Sequence, residues 1–335
     1  MNRGRLNLIT SLLIGVGVFV FFLERAGINE IGSIFLNLNP FYLAVYCVVT
    51  TLAFFPTAWR WQVILKAHNK KVPFLSVLKY TIAGYAVSYI TPVANAGGEP
   101  VRAYMLKKES NVDLKTGSSS IIIDKFVELL GTAVFGMVGL FFFVSMTQLS
   151  GMFKIIIGIL LGFTFFVLFT LYYRTITGRG SFSSLFTYLR LHKIFKLKNF
   201  AHILEKVEKK MEVFFLEHKK EFLLSCLFYI LYGITAIFEF KFLLLALGID
   251  ASIEIIIMSI TFFGIANFVP VPAAVGFLEA GQTTLFSLVK NDAGAGFALS
   301  LVMRARALIF VAVGFGIISY FSGKQLEKVY RKALK

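Results

Sequence analysis

The sequence has 335 residues, of which 57% are apolar and only 16% are Asp, Glu, Lys or Arg, and its mean hydropathy is +0.78. Soluble domains carry roughly 45–50% apolar and ~25% charged residues, which excludes a soluble enzyme, a disordered chain and a secreted disulfide scaffold and leaves an all-α polytopic membrane protein. The net charge is +16, and the placement of those cations decides the topology.

In chain order, Arg3 and Arg5 precede the apolar run Asn7–Leu23, which ends in Leu23-Glu24-Arg25 without a small-x-small cleavage site. This run is expected to be an uncleaved first span. Phe41–Ile64 is long enough for a second span, which needs ~20 mostly apolar residues. Phe74–Leu106 follows, interrupted by Thr91-Pro92-Val93-Ala94-Asn95-Ala96-Gly97-Gly98-Glu99-Pro100. Ser118–Val144 and Phe153–Tyr172 supply spans three and four. In the polar loop Tyr173–Glu221, Phe200, Ile203, Leu204, Val207, Met211, Phe214 and Phe215 recur at helical spacing. Lys206, Lys209 and Lys210 lie on the polar side, as in an amphipathic helix on the inner leaflet or a helix packed under the bundle. Phe222–Gly248 is span five. Ile253–Leu288 is interrupted by Val269-Pro270-Val271-Pro272-Ala273-Ala274-Val275-Gly276, and Gly296–Phe321 is span six. Pro and Gly at this density end helices. Irregular backbone at membrane depth survives only where protein or a watery cavity satisfies it. Cys47 and Cys226 lie in apolar runs, and the four His fall in polar loops without metal-ligand spacing. No disulfide framework, metal or cofactor is expected from them.

Cytoplasmic loops are enriched in Lys and Arg. Two basic residues precede the first span, three lie in Leu65–Pro73, three in Lys107–Gly117, eleven in Tyr173–Glu221 and five from Ser322 onward. The N-terminus, the C-terminus and the long loop are therefore expected to be cytoplasmic, in a multi-pass protein of the cell (inner, cytoplasmic) membrane. Both flanks of Phe74–Leu106 are basic and both flanks of Ile253–Leu288 are poor in basic residues. The expectation is six full spans plus two re-entrant helical hairpins of opposite orientation. The alternative is eight ordinary spans, with each hairpin crossing as two short helices.

The two broken segments share a pattern. Pro92-Val93 is followed by Ala96 and Gly98, and Pro270-Val271 by Ala274 and Gly276 at the same spacings, 178 residues on. A Glu follows each, Glu99 and Glu279. Thr57-Ala58-Trp59-Arg60-Trp61 matches Thr235 to Phe240 with one extra residue. Arg60 then corresponds to Glu239, and Asp124 to Arg304. Each half reads span, span, hairpin, span, the first starting inside and the second outside. That is the plan of an inverted-topology repeat, with 1–145 as the first unit (hairpin 74–106) and 146–335 as the second (cytoplasmic insert 173–221, hairpin 253–288).

Ionisable groups inside spans cost ~2.5–3.5 kcal/mol each on insertion scales and mark functional sites by default. Here they are Arg60, Glu99, Arg102, Asp124, Lys125, Glu128, Glu239, Lys241, Glu279, Arg304 and Arg306, with Lys79 and Lys154 near segment ends. Asp124 and Glu128 share a helix face. Structural pairing of Arg60 with Asp124 or Glu128, and of Glu239 with Arg304, is one reading of the set; a polar cavity near the midplane is the other. Both hairpins bring helix N-termini toward such a cavity, and these favour anions. Arg forks match phosphate oxygens. The candidate substrate-binding set is Arg60, Asn95, Gly98, Glu99, Arg102, Asp124, Lys125, Glu128, Glu239, Gly276, Glu279, Arg304 and Arg306. Arg60, Arg102 and Arg304 are expected to line the cavity and carry the phosphate, with Asp124, Glu128 and Glu279 holding them in its absence.

Gly97-Gly98-Glu99-Pro100-Val101-Arg102-Ala103 resembles the Gly-Glu-x-x-Arg-Ala motif of the lysylphosphatidylglycerol synthase transmembrane-domain family. Ile123 to Gly131 resembles its Asp-Arg-x-x-Asp-Leu-x-Gly motif. Pro270-Val271-Pro272 through Gly276 and Glu279-Ala280 resembles its Pro-x-Pro-Gly-Gly-x-Gly-x-x-Glu-Ala motif. Lys125 stands where that family has Arg, and Ala273-Ala274 replace a Gly pair. The resemblance covers nearly the whole chain. It implies a stand-alone lipid flippase, like the flippase half of the multiple peptide resistance factor, without synthase activity.

The functional expectation is a non-enzymatic, flippase-like transporter of an anionic lipid, whether a phospholipid, an aminoacyl-phospholipid or a polyprenyl-phosphate-linked lipid. No Walker-type loop is present, so energy input would come from an ion gradient. The alternatives are an ion-coupled transporter of a small anionic solute and, lower, a membrane enzyme acting on a lipid carrier. The expected partners are membrane lipids, a second copy of the chain and a separate lipid-synthesising enzyme, with no nucleic acid.

Overall fold

The computed structural model describes residues 28–92, 97–147, 150–176 and 212–333, with a few positions between 17 and 24 and residue 209. Among these residues the fold is helical, without strands. The first span lies largely outside them, as do Asn95 and most of the amphipathic stretch 200–211.

Helices α1 (Ile28–Leu36), α2 (Pro40–Leu52) and α3 (Phe54–Ala67) open the described chain. The start of α2 is set by Asn39, whose side chain accepts from the amides of Phe41 (3.0 Å) and Tyr42 (3.3 Å), with Pro40 at the first helical position. The second span breaks between α2 and α3 because Pro56 has no N–H to offer the carbonyl of Leu52. Next come α4 (Phe74–Ile90), α5 (Glu99–Ser110), α6 (Leu114–Met146) and α7 (Gly151–Ile176). Asp113 caps α6 by accepting from the Thr116 amide at 2.9 Å. The chain then forms α8 (Lys219–Ala246), α9 (Ile253–Asn267), a 3-10 turn (Pro272–Ala274), α10 (Phe277–Lys290) and α11 (Ala293–Ala333).

Four stretches among the described residues are long and apolar enough to cross a membrane: Pro40–Ala67, Leu114–Met146, Lys219–Ala246 and Ala293–Gly323. The two interrupted segments break where Pro and Gly cluster. Their limbs have 17, 12, 15 and 14 residues. At 1.5 Å per residue these reach roughly 18–26 Å, short of a ~30 Å hydrocarbon core.

Helix α4 packs along α11, and α9 packs along α6. Likewise α5 packs on α6 and α10 on α11, while α8 lies against both α2 and α3. The α4–α11 and α9–α6 crossings are close enough to need glycine: a Cβ on Gly314 would collide with Ala86 and Ile82, and one on Gly139 with Thr261. The 3-10 turn between α9 and α10 rests against α4, so the two interrupted segments touch. Phe214 and Phe215 are buried against Ile64, Ile123 and Phe126, which puts this end of the long loop under the bundle.

Candidate functional site: a buried ion-pair network beside an apolar cavity

The helices enclose a cavity of about 880 Å³. Its first-half wall carries Arg60 from α3, Glu99 and Arg102 from α5, and Lys125 and Glu128 from α6; its second-half wall carries Glu239 from α8 and Arg306 from α11. Asp124, Glu279 and Arg304 lie behind the lining, as do Gly98 and Gly276.

In the first half every cation has a carboxylate. Arg60, 1% exposed, donates through Nε to Asp124 Oδ1 at 2.7 Å and through Nη2 to Glu128 Oε2 at 2.9 Å. Arg102 donates through Nη2 to Asp124 Oδ2 at 2.8 Å. One buried carboxylate thus holds two arginines from two different elements. Lys125 bridges Glu128 Oε1 at 3.1 Å and Glu99 Oε1 at 3.5 Å. The Arg102 guanidinium sits 4.0 Å from the ring centroid of Trp61, a cation–π contact, and Trp61 Nε1 donates to Ser120 Oγ at 3.1 Å. Gly98 lies on Gly84 with no room for a Cβ, and its amide donates to Ser88 Oγ at 2.9 Å.

In the second half Arg304 donates through Nε to Glu279 Oε1 at 2.8 Å, and through Nη1 to the Ala273 carbonyl at 3.1 Å and Tyr89 Oη at 3.5 Å. Glu279 Oε2 accepts from the Gly276 amide at 2.9 Å, where Gly276 has φ +81°. Arg306 pairs with Glu239, with Tyr46, Tyr85 and Tyr232 within electrostatic reach.

These contacts correct one expected pairing. Glu239 pairs with Arg306, and Arg304 pairs with Glu279. Two residues apart on a helix, the arginines point to different sides: Arg306 reaches the cavity, while Arg304 is turned behind the wall onto the second hairpin turn. Arg304 therefore does not line the cavity as expected, whereas Arg60 and Arg102 do.

At near-constant sequence offsets the pairs recur with their charges reversed. Arg60–Glu128 in the first half corresponds to Glu239–Arg306 in the second, and Arg102–Asp124 to Glu279–Arg304. The four positions are displaced by 177–180 residues. At each offset an acid answers a base, and each set of two pairs, Arg60, Arg102, Asp124 and Glu128 on one side and Glu239, Glu279, Arg304 and Arg306 on the other, is neutral.

A family model described as the lysylphosphatidylglycerol synthase TM region matches residues 8–314. The chain belongs to this family. The three resembling motifs fall inside the match and supply Glu99, Arg102, Asp124, Lys125, Glu128 and Glu279 to the network. The chain is also similar to curated membrane proteins of archaea. A UPF0104 membrane protein of Pyrococcus horikoshii is 26% identical over 313 residues, covering 89% of this chain and 92% of its own. One of Methanothermobacter thermautotrophicus is 24% identical over 335 residues, covering 96% and 97%. The chain is thus an integral membrane protein of the lysylphosphatidylglycerol synthase transmembrane family.

Sequence reasoning missed the aromatic part of the site. Tyr85, Tyr89, Tyr229 and Tyr232 line the cavity. Their spacings, four and three residues, put each pair on one helix face, which was the available signal. Among the described residues no cluster of three or more His, Cys, Asp or Glu is placed to hold a metal ion.

Proposed function

We propose that the chain is a flippase-like transporter that moves an anionic, phosphate-bearing lipid between leaflets by alternating access of two inverted repeats, 1–145 and 146–335. The observation that carries this reading is the contrast between the cavity's depth and its rim. The depth holds the ion pairs. The rim includes Leu129, Leu160, Ile265 and Phe268, which line the cavity and are yet 40%, 56%, 47% and 52% exposed. A hydrophilic solute gains nothing from a greasy lateral mouth. A lipid keeps its chains there while its headgroup reaches the arginines.

The repeat draws support from the matched packing of α4 on α11 and α9 on α6, and from the charge-reversed pairs. The re-entrant hairpins draw support from limbs too short to cross. In this reading Arg60, Arg102 and Lys125, with the N-terminus of α5, attract the phosphate. The carboxylates that hold these cations in the empty site are displaced as it binds and return as it leaves. Exchange of a ligand for an internal ion pair keeps the two access states close in energy, as alternation requires. Glu128 and Glu239 face the cavity and Asp124 and Glu279 stand behind it; these four are the groups through which an ion gradient would couple. The cation-rich segments, and hence both termini, lie on the cytoplasmic side.

The test compares two cargoes in vesicles holding the purified full chain: a headgroup-labelled phospholipid, and glycerophosphate as the free, water-soluble headgroup. Acceleration of the lipid alone is expected. Uptake of glycerophosphate without lipid movement would replace this reading with solute transport.

A further inference from the structure

On the first turn of α5 two buried polar atoms have no hydrogen-bond partner: Oε2 of Glu99 and Nε of Arg102. The two residues stand three apart and are neighbours on one helix face. They do not satisfy each other because α6 draws them apart, Glu99 Oε1 toward Lys125 and Arg102 Nη2 toward Asp124. Arg102 is only 6% exposed and both residues line the cavity. A buried donor and a buried acceptor left unmet are each costly, and side by side they specify what relieves them. The helix end alone does not hold the ligand, since the Gly98 amide is already taken by Ser88.

We infer that this site takes a headgroup in which an anionic phosphodiester stands next to a hydrogen-bond donor, a hydroxyl or an ammonium. The phosphodiester oxygen accepts from Arg102 Nε and the neighbouring donor gives to Glu99 Oε2. The inference rests on the proposed lipid transport and narrows its substrate. Both atoms are shut off from water in this state, so the headgroup meets them as α5 moves off α6 during the change of access. A headgroup that carries phosphate and positive charge but no donor hydrogen leaves the Oε2 atom of Glu99 buried without a partner, and is rejected for that reason.

Three labelled lipids in vesicles with the full chain separate these cases. Phosphatidylglycerol offers a phosphodiester with hydroxyls, phosphatidylethanolamine a phosphodiester with an N–H ammonium, and phosphatidylcholine a phosphodiester with a quaternary ammonium that has no donor. Phosphatidylcholine should move about tenfold more slowly, or less, than the faster of the other two; which of those two is faster identifies the donor. Glu99→Ala should bring phosphatidylcholine level with it. If that variant does not fold, the ratio in the parent protein carries the test. Phosphatidylcholine moving as fast as the best lipid in the parent overturns the inference and leaves lipid transport standing. No movement of any of the three overturns both.

Discussion

Replacing Asp124 with Asn keeps the side chain's shape and one acceptor oxygen but removes its charge. Asp124 is 0% exposed and holds Arg60 at 2.7 Å and Arg102 at 2.8 Å. In the variant three cations, Arg60, Arg102 and Lys125, face only Glu99 and Glu128. Neutralising one partner of a buried pair costs about 3–5 kcal/mol, because the other charge stays buried without compensation. A lipid phosphate supplies the missing charge. At a hundredfold excess over its Kd, a lipid stabilises either protein by about 2.7 kcal/mol. If the phosphate replaces the lost carboxylate, the variant binds it about tenfold more tightly, which adds ~1.4 kcal/mol. Thermal unfolding in detergent should therefore show a large loss of Tm without lipid and a smaller one with it. A fluorescent phospholipid should leave Asp124→Asn about tenfold more slowly than the parent. An unchanged Tm, or release as fast as in the parent, would show that Asp124 does not compete with the ligand.

Arg60→Gln should abolish lipid movement while expression stays near the parent level; failure to express would mark Arg60 as purely structural. Glu239→Arg and Arg306→Glu should each destabilise by about 3–5 kcal/mol, and the double exchange should recover most of that loss, which a double-mutant cycle on unfolding reads directly. Ala273 has φ 55°, a left-handed conformation that costs an L-residue roughly 1–2 kcal/mol; Ala273→Gly should raise stability by about 1 kcal/mol, and a lower Tm would place the strain elsewhere. With Cys47 and Cys226 replaced, a cysteine at Met152 should label with an impermeant reagent in intact cells and one at Lys220 should not; the reverse result inverts the topology.

The interruptions are legible because Pro92, Pro270 and Pro272 cannot continue a helix, and the chain leaves α4 and α9 just before them, while Pro100 stands in the first turn of α5, where proline is tolerated. The break after Leu52 is masked in the sequence, although Pro56 announces it by the same rule, because the apolar run Phe41–Ile64 continues through it. Arg60 with Asp124 and Glu128 was legible as opposite charges sharing one depth. The partner of Glu239 was misassigned because Arg304 and Arg306 lie two residues apart, and only the rotation of α11 and the position of the second hairpin turn decide which carboxylate each meets. The tyrosines are not distinguishable in the sequence as lining residues, because an aromatic residue in an apolar run has the same pattern whether it faces lipid or lines a cavity. The cavity itself has no sequence signature, since its rim and the outer face of the bundle use the same side chains.

Transbilayer movement of a headgroup-labelled phospholipid, followed by quenching from outside in vesicles containing the purified full chain, tests lipid transport most directly. Vesicles with the parent protein should expose the inner-leaflet label faster than empty vesicles, and vesicles with Arg60→Gln should match the empty ones. Parent and empty vesicles that quench at the same rate would contradict lipid transport by this protein.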